Sequence, residues 1–346
     1  MISIVCLGEN ERLRQVLSGI PARILSAADD LRNRRLLFAV AVDAGGPGPE
    51  YHAFLRRLRT EPDCLQGSTA GMVVDGTTEL YTKSAADALA FAASMTGCTL
   101  PGRALVEATG SLYNQHIQAR NRGLSLEETY AARVRELCEE LERFSMPCIR
   151  HPKVLLIHAS EQRNSNTLAL GRQVAQRLSD VCAVREIGLL NGTVQDCRGC
   201  GYRQCLHFAQ NNTCFYGGAL SEEVLPAIAE SDVLLFLCPN YNDALGGILS
   251  AVVNRMSGLV LQRSLKEKLL AAVVVSGYSG GDLVAQQLLG AMCLNRGTIV
   301  PPRFCLLQTA HDPGDAMAAA GMAQRLDEFA AELRKSLGGD GKREKN

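Results

Sequence analysis

The length, composition and charge of the chain limit what it can be. Its 346 residues are enough for two domains, since domains commonly hold about 100–200 residues. The 36 basic and 36 acidic residues cancel to a net charge of zero, which argues against recruitment by nucleic acid or by an anionic membrane surface.

Hydropathy and cysteine content indicate a cytoplasmic protein that does not enter a membrane. No apolar run approaches the roughly 18–20 residues that span a bilayer, and residues 1–7 lack the basic segment and cleavage site of a signal peptide. The 13 cysteines are odd in number and scattered, which argues against a disulfide framework and for reduced thiols with a metal or redox subset.

The first half of the chain alternates between strand and helix patterns. Short apolar runs typical of buried strands cover residues 2–7, 36–42, 70–75 and 104–108. Helical spacing covers residues 11–17, 50–59 and 84–95. This alternation predicts a parallel sheet flanked by helices.

A helix and a linker close this half. Ser125 and Glu128 have the spacing of a capping box, which predicts a helix from there to about Phe144. Residues 146–152 contain two prolines and little periodicity, so we expect a linker between domains there.

The two halves resemble each other. Residues 70–76 and 271–277 are matching apolar strands that end in glycine, and each is followed by a helix and a Pro-containing turn. We therefore predict two doubly wound α/β domains of one kind, at residues 1–148 and 149–337, with a disordered polar tail at residues 338–346.

The second domain begins with a strand, a polar loop and a helix. Residues 154–157 are apolar without alternation, as in a strand covered on both faces. The following loop and helix start contain the candidate phosphate contacts Ser160, Asn164, Ser165, Asn166 and Thr167. Hydroxyls and backbone N–H groups at a helix start favour an anion. The absence of Gly-x-Gly-x-x-Gly and of a Lys-Ser/Thr ending argues against dinucleotide and triphosphate loops and favours one terminal phosphate, although ordinary turn chemistry gives the same residue types.

Two further loops follow apolar strands at residues 233–238 and 269–275. They contain Pro239, Asn240, Tyr241, Ser276, Gly277 and Gly280. Ligands bind at the carboxyl ends of the strands in open α/β sheets. Tyr241 could stack on a flat ring, and Asn240 and Asn242 could form hydrogen bonds to its edge. The glycines would let backbone N–H groups approach the ring.

Four cysteines form a second cluster. Cys197, Cys200, Cys205 and Cys214 fall within 18 residues, whereas the other cysteines are dispersed. Thiolates this close can surround one metal centre, and the nearby arginines would favour the thiolate form. Zinc and a loop without metal stay open as alternatives, since only the first two cysteines have the Cys-x2-Cys spacing of a zinc knuckle.

Residues 153–320 resemble the NADPH-dependent FMN reductase family and, within it, the iron-sulfur flavoproteins. Ser160, Asn164, Asn166 and Thr167 keep the spacing of that family's phosphate loop, Gly-Ser-Pro-Arg-x-Asn-Gly-Asn-Thr. The chain departs from that loop at His158, Ala159, Glu161 and Ser165. Pro239–Asn–Tyr241 is similar to the family's segment against the flavin ring, and Asn254–Arg255 stands where an Asp-Arg pair is common. The cysteine motif is also similar, with a second gap of four residues and a third of eight, both longer than usual.

The resemblance implies a flavodoxin-like fold and an FMN-dependent oxidoreductase. FMN would lie on the two sets of loop residues above, NAD(P)H would be a donor, and a 4Fe-4S cluster on the four cysteines would exchange electrons with the flavin. Partners would be small-molecule or protein electron donors and acceptors and a second copy in a homo-oligomer. If the first domain is a copy of the second, as the repeat suggests, its short acidic Gly8–Glu11 loop indicates that it has lost its own cofactor. His158 and His207 are acid-base candidates by location only.

Two other classes of function compete with this prediction. One is a zinc-stabilised α/β binding or regulatory protein, in which the loops are only turns. The other is a flavodoxin-like electron carrier without a substrate pocket, although a neutral chain is less suited to charged docking.

Overall fold

The structure, a computed structural model, describes residues 1–160, 164–210 and 214–338. The chain divides into two compact units, Met1–Ser145 and Met146–Asn346. Residues 339–346, most of the tail predicted to be disordered, lie outside the described residues. No helix in the described part is both long and apolar enough to cross a membrane.

The first unit is built on a sheet of mainly parallel strands. The strands are β1 (Ser3–Leu7), β2 (Arg23–Leu25), β3 (Arg35–Asp43), β4 (Gly46–Pro47), β5 (Thr69–Gly76) and β6 (Leu105–Ala108). The sheet order is β2-β1-β3-β5-β6, with every pair parallel, and β4 adds a short antiparallel pair with β3. The central strands β3 and β5 are buried along most of their length, as their unalternated apolar residues predict.

The helices of the first unit connect and cover these strands. They are α1 (Glu11–Ser18), α2 (Pro49–Thr60), α3 (Thr82–Met95), α4 (His116–Arg122) and α5 (Leu126–Arg143). The predicted capping box is confirmed at the start of α5. Ser125 Oγ accepts from the Glu128 N–H at 3.1 Å, and Glu128 Oε2 accepts from the Ser125 N–H at 2.9 Å.

The second unit has a sheet of five parallel strands. They are β7 (Lys153–His158), β8 (Ala183–Gly188), β9 (Val233–Pro239), β10 (Leu269–Ser276) and β11 (Cys305–Thr309). The order is β11-β10-β9-β7-β8. The inner strands β9 and β10 are almost wholly buried.

Helices connect these strands and also follow the last of them. They are α6 (Asn166–Leu178), α7 (Tyr202–Ala209), α8 (Leu225–Glu230), α9 (Gly247–Arg255), α10 (Ser257–Gln262), α11 (Gly281–Leu289), α12 (Asp315–Ala318) and α13 (Met322–Ser336). Wider helical turns at Leu220–Val224 and Gly290–Asn295 precede α8 and continue α11. The cysteine segment lies between β8 and α8, with α7 inside it.

The two sheets have the same strand order. When β4 is set aside, each runs 2-1-3-4-5 in the order of its own strands, which is the order of flavodoxin-like doubly wound folds. The predicted fold class is therefore confirmed. In such a sheet the first and third strands are neighbours, and the order in which strands are added changes direction between them. Ligands bind beside the carboxyl ends of these two strands. In the second unit that point lies beyond β7 and β9.

Candidate functional site

The predicted phosphate and ring residues of the second unit follow strands that end at one edge of its sheet. Pro239 pairs with Val275, and Ser276 pairs with Thr309. The loops that follow β9, β10 and β11 therefore leave the sheet side by side. β7 pairs in parallel with β9, so the loop after His158 opens at the same edge.

Two serine hydroxyls form the part of this edge nearest α6. Ser165 Oγ donates to Ser160 Oγ at 3.2 Å and accepts from the Leu168 N–H at 3.3 Å. Ser165 is therefore the N-cap of α6. Because the helix dipole and free N–H groups favour negative charge at this end, the serine pair marks a suitable place for an anion.

The other residues of the predicted phosphate loop have different surroundings. Asn164 is exposed, and Thr167 is buried in the first turn of α6. The Asn166 amide is bound to the segment before α12. Its Nδ2 donates to the Asp312 carbonyl at 2.8 Å, and its Oδ1 accepts from the Gly314 N–H at 2.9 Å. This side chain thus fixes a neighbouring loop, and its own backbone N–H is the group left for an anion.

Asn240 joins the loops after β9 and β10. Its Nδ2 lies 3.0 Å from Asp243 Oδ1, 3.2 Å from Ser276 Oγ and 2.8 Å from the Ser279 carbonyl. Within the described residues its Oδ1 is buried without a hydrogen-bond partner. A buried polar atom of this kind costs free energy unless something bonds to it, so Asn240 offers a fixed acceptor for a ligand donor.

Gly280 is required at its position in the loop after β10. Its φ is +79°, and a Cβ there would lie 1.9 Å from Asp243 Oδ1. Both facts exclude an unstrained side chain. The close approach keeps the two loops together around Asn240.

Three aromatic rings stand at this edge. Tyr241 is 64% exposed and Tyr278 is 79% exposed. The His311 ring lies 5.2 Å from that of Tyr278, between centroids, and its Nδ1 lies 3.4 Å from where a Cβ of Gly277 would be. The sequence did not single out Tyr278 or His311. Both residues could have been found from their positions, because Tyr278 follows β10 and His311 follows β11 within two residues.

The four clustered cysteines line one cavity of about 540 Å³. Burial, followed by the neighbouring thiolates, raises the pKa of the Cys205 thiol. Aromatic and arginine side chains complete the wall, including Phe208, Tyr216, Arg198 and Arg296. Among the described residues, no group of three His, Cys, Asp or Glu side chains is close enough to hold a metal ion. The predicted ligands thus share a cavity but are not arranged around one point.

Arg255 and Asn254, at the end of α9, fasten this cysteine segment. Arg255 is 5% exposed, and its Nη2 donates to the Gly217 carbonyl at 2.9 Å and to Ser221 Oγ at 2.8 Å. Its Nη1 donates to the Gln195 carbonyl at 3.3 Å. The neighbouring Asn254 amide donates to Asp196 at 3.0 Å. One buried guanidinium therefore holds both ends of the segment that carries the cysteines.

One protein-family model matches a large part of this unit. Residues 152–312 match the family model described as NADPH-dependent FMN reductase. The matched residues contain every predicted phosphate, ring and cysteine position. For this part of the chain, the match confirms the resemblance to the NADPH-dependent FMN reductases and the oxidoreductase class, and it does not test the predicted iron-sulfur subgroup. A search of curated protein sequences found no match.

Solved structures similar to the chain cover about half of it. An NAD(P)H:quinone oxidoreductase from Methanothermobacter marburgensis is 16% identical over 53% of this chain and 98% of that chain, with a TM-score of 0.41. A Trp repressor binding protein from Bacillus subtilis is 14% identical over 51% and 99%, with a TM-score of 0.36. An oxidoreductase from Corynebacterium diphtheriae is 14% identical over 56% and 100%, with a TM-score of 0.38.

Proposed function

Since residues 152–312 match the NADPH-dependent FMN reductases, we propose that the second unit binds FMN and acts as an NAD(P)H-dependent oxidoreductase. Electrons would pass to a small molecule or a protein acceptor. The observation that carries this proposal is Asn240, whose Oδ1 is buried and unpartnered within the described residues at the edge where three strand-end loops meet.

The residues present fit the two ends of FMN. The FMN phosphate would lie at the start of α6, where Ser160, Ser165 and the N–H groups of Asn166 and Thr167 are the proposed contacts. Asn164, exposed beside them, is a fifth proposed contact. FMN, when bound, supplies hydride and single-electron chemistry.

The flavin ring suits the loops after β9 and β10. The proposed contacts are Pro239, Asn240, Tyr241, Ser276, Gly277 and Gly280. Asn240 Oδ1 would accept from the ring edge, and the exposed Tyr241 would cover a ring face. Gly277 and Gly280 let the backbone approach closely, so that N–H groups there can stabilise negative charge on a reduced ring.

We further propose that Cys197, Cys200, Cys205 and Cys214 ligate a 4Fe-4S cluster. The shared cavity supports this, as do the guanidiniums around it, which offset thiolate charge. The thiols must converge on loading, because no three of them now form a binding group among the described residues. Closed zinc coordination by the same thiols is the competing outcome.

Analysis of the purified protein separates these functions. Protein purified without oxygen is expected to carry flavin. If the cluster is present, each chain should also carry about four iron and four sulfide ions. Flavin without iron keeps the oxidoreductase and removes the cluster. Zinc without flavin favours the binding or regulatory protein.

Steady-state assays then separate an enzyme from an electron carrier. The enzyme oxidises NADH or NADPH with FMN bound and passes electrons to a quinone or ferricyanide. A carrier accepts electrons from a separate reductase but does not oxidise NAD(P)H.

A further inference from the structure

We propose that His158 is a positioning residue that couples proton uptake to the binding of the FMN phosphate. The inference rests on the proposed function, because it needs the phosphate to lie at the start of α6. It concerns a residue that is not itself among the proposed contacts to FMN.

The His158 ring is held in place at the end of β7. The residue is 5% exposed, and a Cβ on Gly188 would lie 2.7 Å from its Cε1. The ring is therefore packed directly on the backbone of β8. Only a glycine leaves room for it at that position of the neighbouring strand.

Both ring nitrogens of His158 have hydrogen-bond partners. Nδ1 accepts from the Ser160 N–H at 3.2 Å, and Nε2 lies 3.3 Å from Glu186 Oε1. Since Nδ1 is an acceptor, the ring proton belongs on Nε2, where it is donated to the carboxylate. The geometry thus describes a neutral imidazole with one definite tautomer.

Among the described residues, the charged groups that act on the imidazole come from two elements. Glu186 of β8 bonds to Nε2, and Arg172 of α6 bonds to Glu186 at 2.6 and 3.0 Å. On the other side, β9 pairs with residues 154–157 of β7 through apolar residues. Glu161 and Arg163 belong to the loop segment outside the described residues. Burial lowers the pKa of His158, and this effect is larger than that of Glu186, which raises the pKa. The lowered pKa agrees with a neutral imidazole.

The neutral ring keeps one backbone donor away from an anion. The Ser160 N–H points to Nδ1, while Ser160 Oγ lies beside Ser165 Oγ at the start of α6. A second proton on Nδ1 removes the acceptor and frees this N–H. It also places a positive charge next to the serine pair. A phosphate dianion gains from both changes, so phosphate binding and protonation of His158 favour each other.

The proton in this step comes from solvent. It bonds to Nδ1 when FMN binds and returns to solvent when FMN leaves, with no change in oxidation state. Riboflavin has the same ring without the phosphate, so its binding is not expected to take up this proton.

Calorimetric titration of the full-length apoprotein tests the coupling. FMN and riboflavin are titrated at pH 7 in buffers of different ionisation enthalpy, which gives the number of protons taken up. After correction for protons released by the phosphate itself, we expect proton uptake with FMN and none with riboflavin. Between pH 8 and pH 6 the affinity for FMN relative to riboflavin should rise about threefold to tenfold, since one pKa unit of coupling corresponds to about a tenfold change.

Two variants assign the proton to His158. His158→Asn retains an acceptor for the Ser160 N–H but does not titrate, and it should lose the uptake while still binding riboflavin. Protons released or taken up by the FMN phosphate itself contribute equally in the wild type and in His158→Asn. The difference between the two proteins therefore reports the proton on His158. Glu186→Gln should reduce the uptake, because the charged imidazole loses its carboxylate partner. Retained riboflavin binding shows that each variant is folded.

The outcomes separate this inference from the proposed function. FMN binding with equal proton uptake in the wild type and in His158→Asn, or with no uptake in either, overturns the role of His158 and leaves the flavin site standing. Failure of the wild type to bind either flavin overturns both.

Discussion

Arg12 and Asp75 form a bidentate ion pair at the carboxyl edge of the first sheet. Arg12 Nη2 lies 2.8 Å from Asp75 Oδ1, and Nε lies 3.0 Å from Oδ2. The same Nη2 donates to the Gly76 carbonyl at 2.8 Å. Asp75 stands next to the end of β5, the counterpart of β10, where the second unit has its Ser276 loop. The first unit thus fills with an internal ion pair the edge that we propose the second uses for FMN.

Breaking this ion pair should destabilise the first unit. Asp75 is 1% exposed, so Asp75→Ala leaves the Arg12 guanidinium without its carboxylate. We expect a loss of about 2–4 kcal/mol in the free energy of unfolding, measured by urea unfolding. Asp30→Ala, which removes the exposed ion pair to Arg32, is the control and should have little effect. Equal effects of the two substitutions would contradict the structural role of Asp75.

Asn240 should contribute directly to flavin affinity. Asn240→Ala removes both the buried acceptor and the bonds between two loops, so we expect FMN to bind about tenfold or more weakly. Fluorescence quenching of FMN measures this. Asn121→Ala, at an exposed position of α4 in the first unit, should bind FMN like the wild type. Unchanged affinity in Asn240→Ala would remove Asn240 from the site.

Two glycines with the same backbone angle separate strain from steric clash. Gly280 and Gly192 both have φ +79°, but a Cβ on Gly192 meets nothing within 4 Å. Each alanine substitution should cost about 1 kcal/mol from backbone conformation. Gly280→Ala should in addition displace Asp243 and weaken FMN binding, whereas Gly192→Ala should not. Equal FMN affinity in both variants would show that the contact between the two loops is unimportant for the ligand.

Arg255 should control access to the cysteine cavity. Arg255→Ala leaves two backbone carbonyls and the Ser221 hydroxyl without their donor, so residues 195–217 should loosen. We expect the cysteines to react several-fold faster with a thiol reagent. Arg198→Ala, which removes a ring contact to Tyr216 but no such clamp, is the comparison. A rate unchanged in Arg255→Ala would show that the segment is held by other contacts.

The strands that the sequence revealed are those covered on both faces. Unalternated apolar runs predicted β3, β5, β9 and β10, which are nearly all buried. The edge strand β8 escaped prediction because most of its residues are partly or fully exposed. Arg185 and Glu186 interrupt its apolar residues. The spacing of its apolar residues is therefore typical neither of a buried strand nor of an amphipathic helix.

The grouping of the candidate site residues could be predicted where they follow the strands, but not where it depends on contacts between distant parts of the chain. Asn240, Ser276 and Gly280 could be grouped because parallel strands end at one edge. The Asn166 side chain bonds to the segment before α12, about 150 positions away in the sequence. No local sequence pattern predicts a contact between residues this far apart. The relation of His158 to Glu186 likewise depends on the pairing of β7 with β8.

The central claim is that the second unit holds FMN, and the most direct measurement is the flavin content of the full-length protein purified without oxygen. Released flavin would be identified and quantified, with an FMN titration of any apoprotein. We predict about one FMN per chain, with binding weakened in Ser165→Ala, because that serine caps α6 beside the proposed phosphate position. Protein that carries no flavin and fails to bind added FMN would contradict the account.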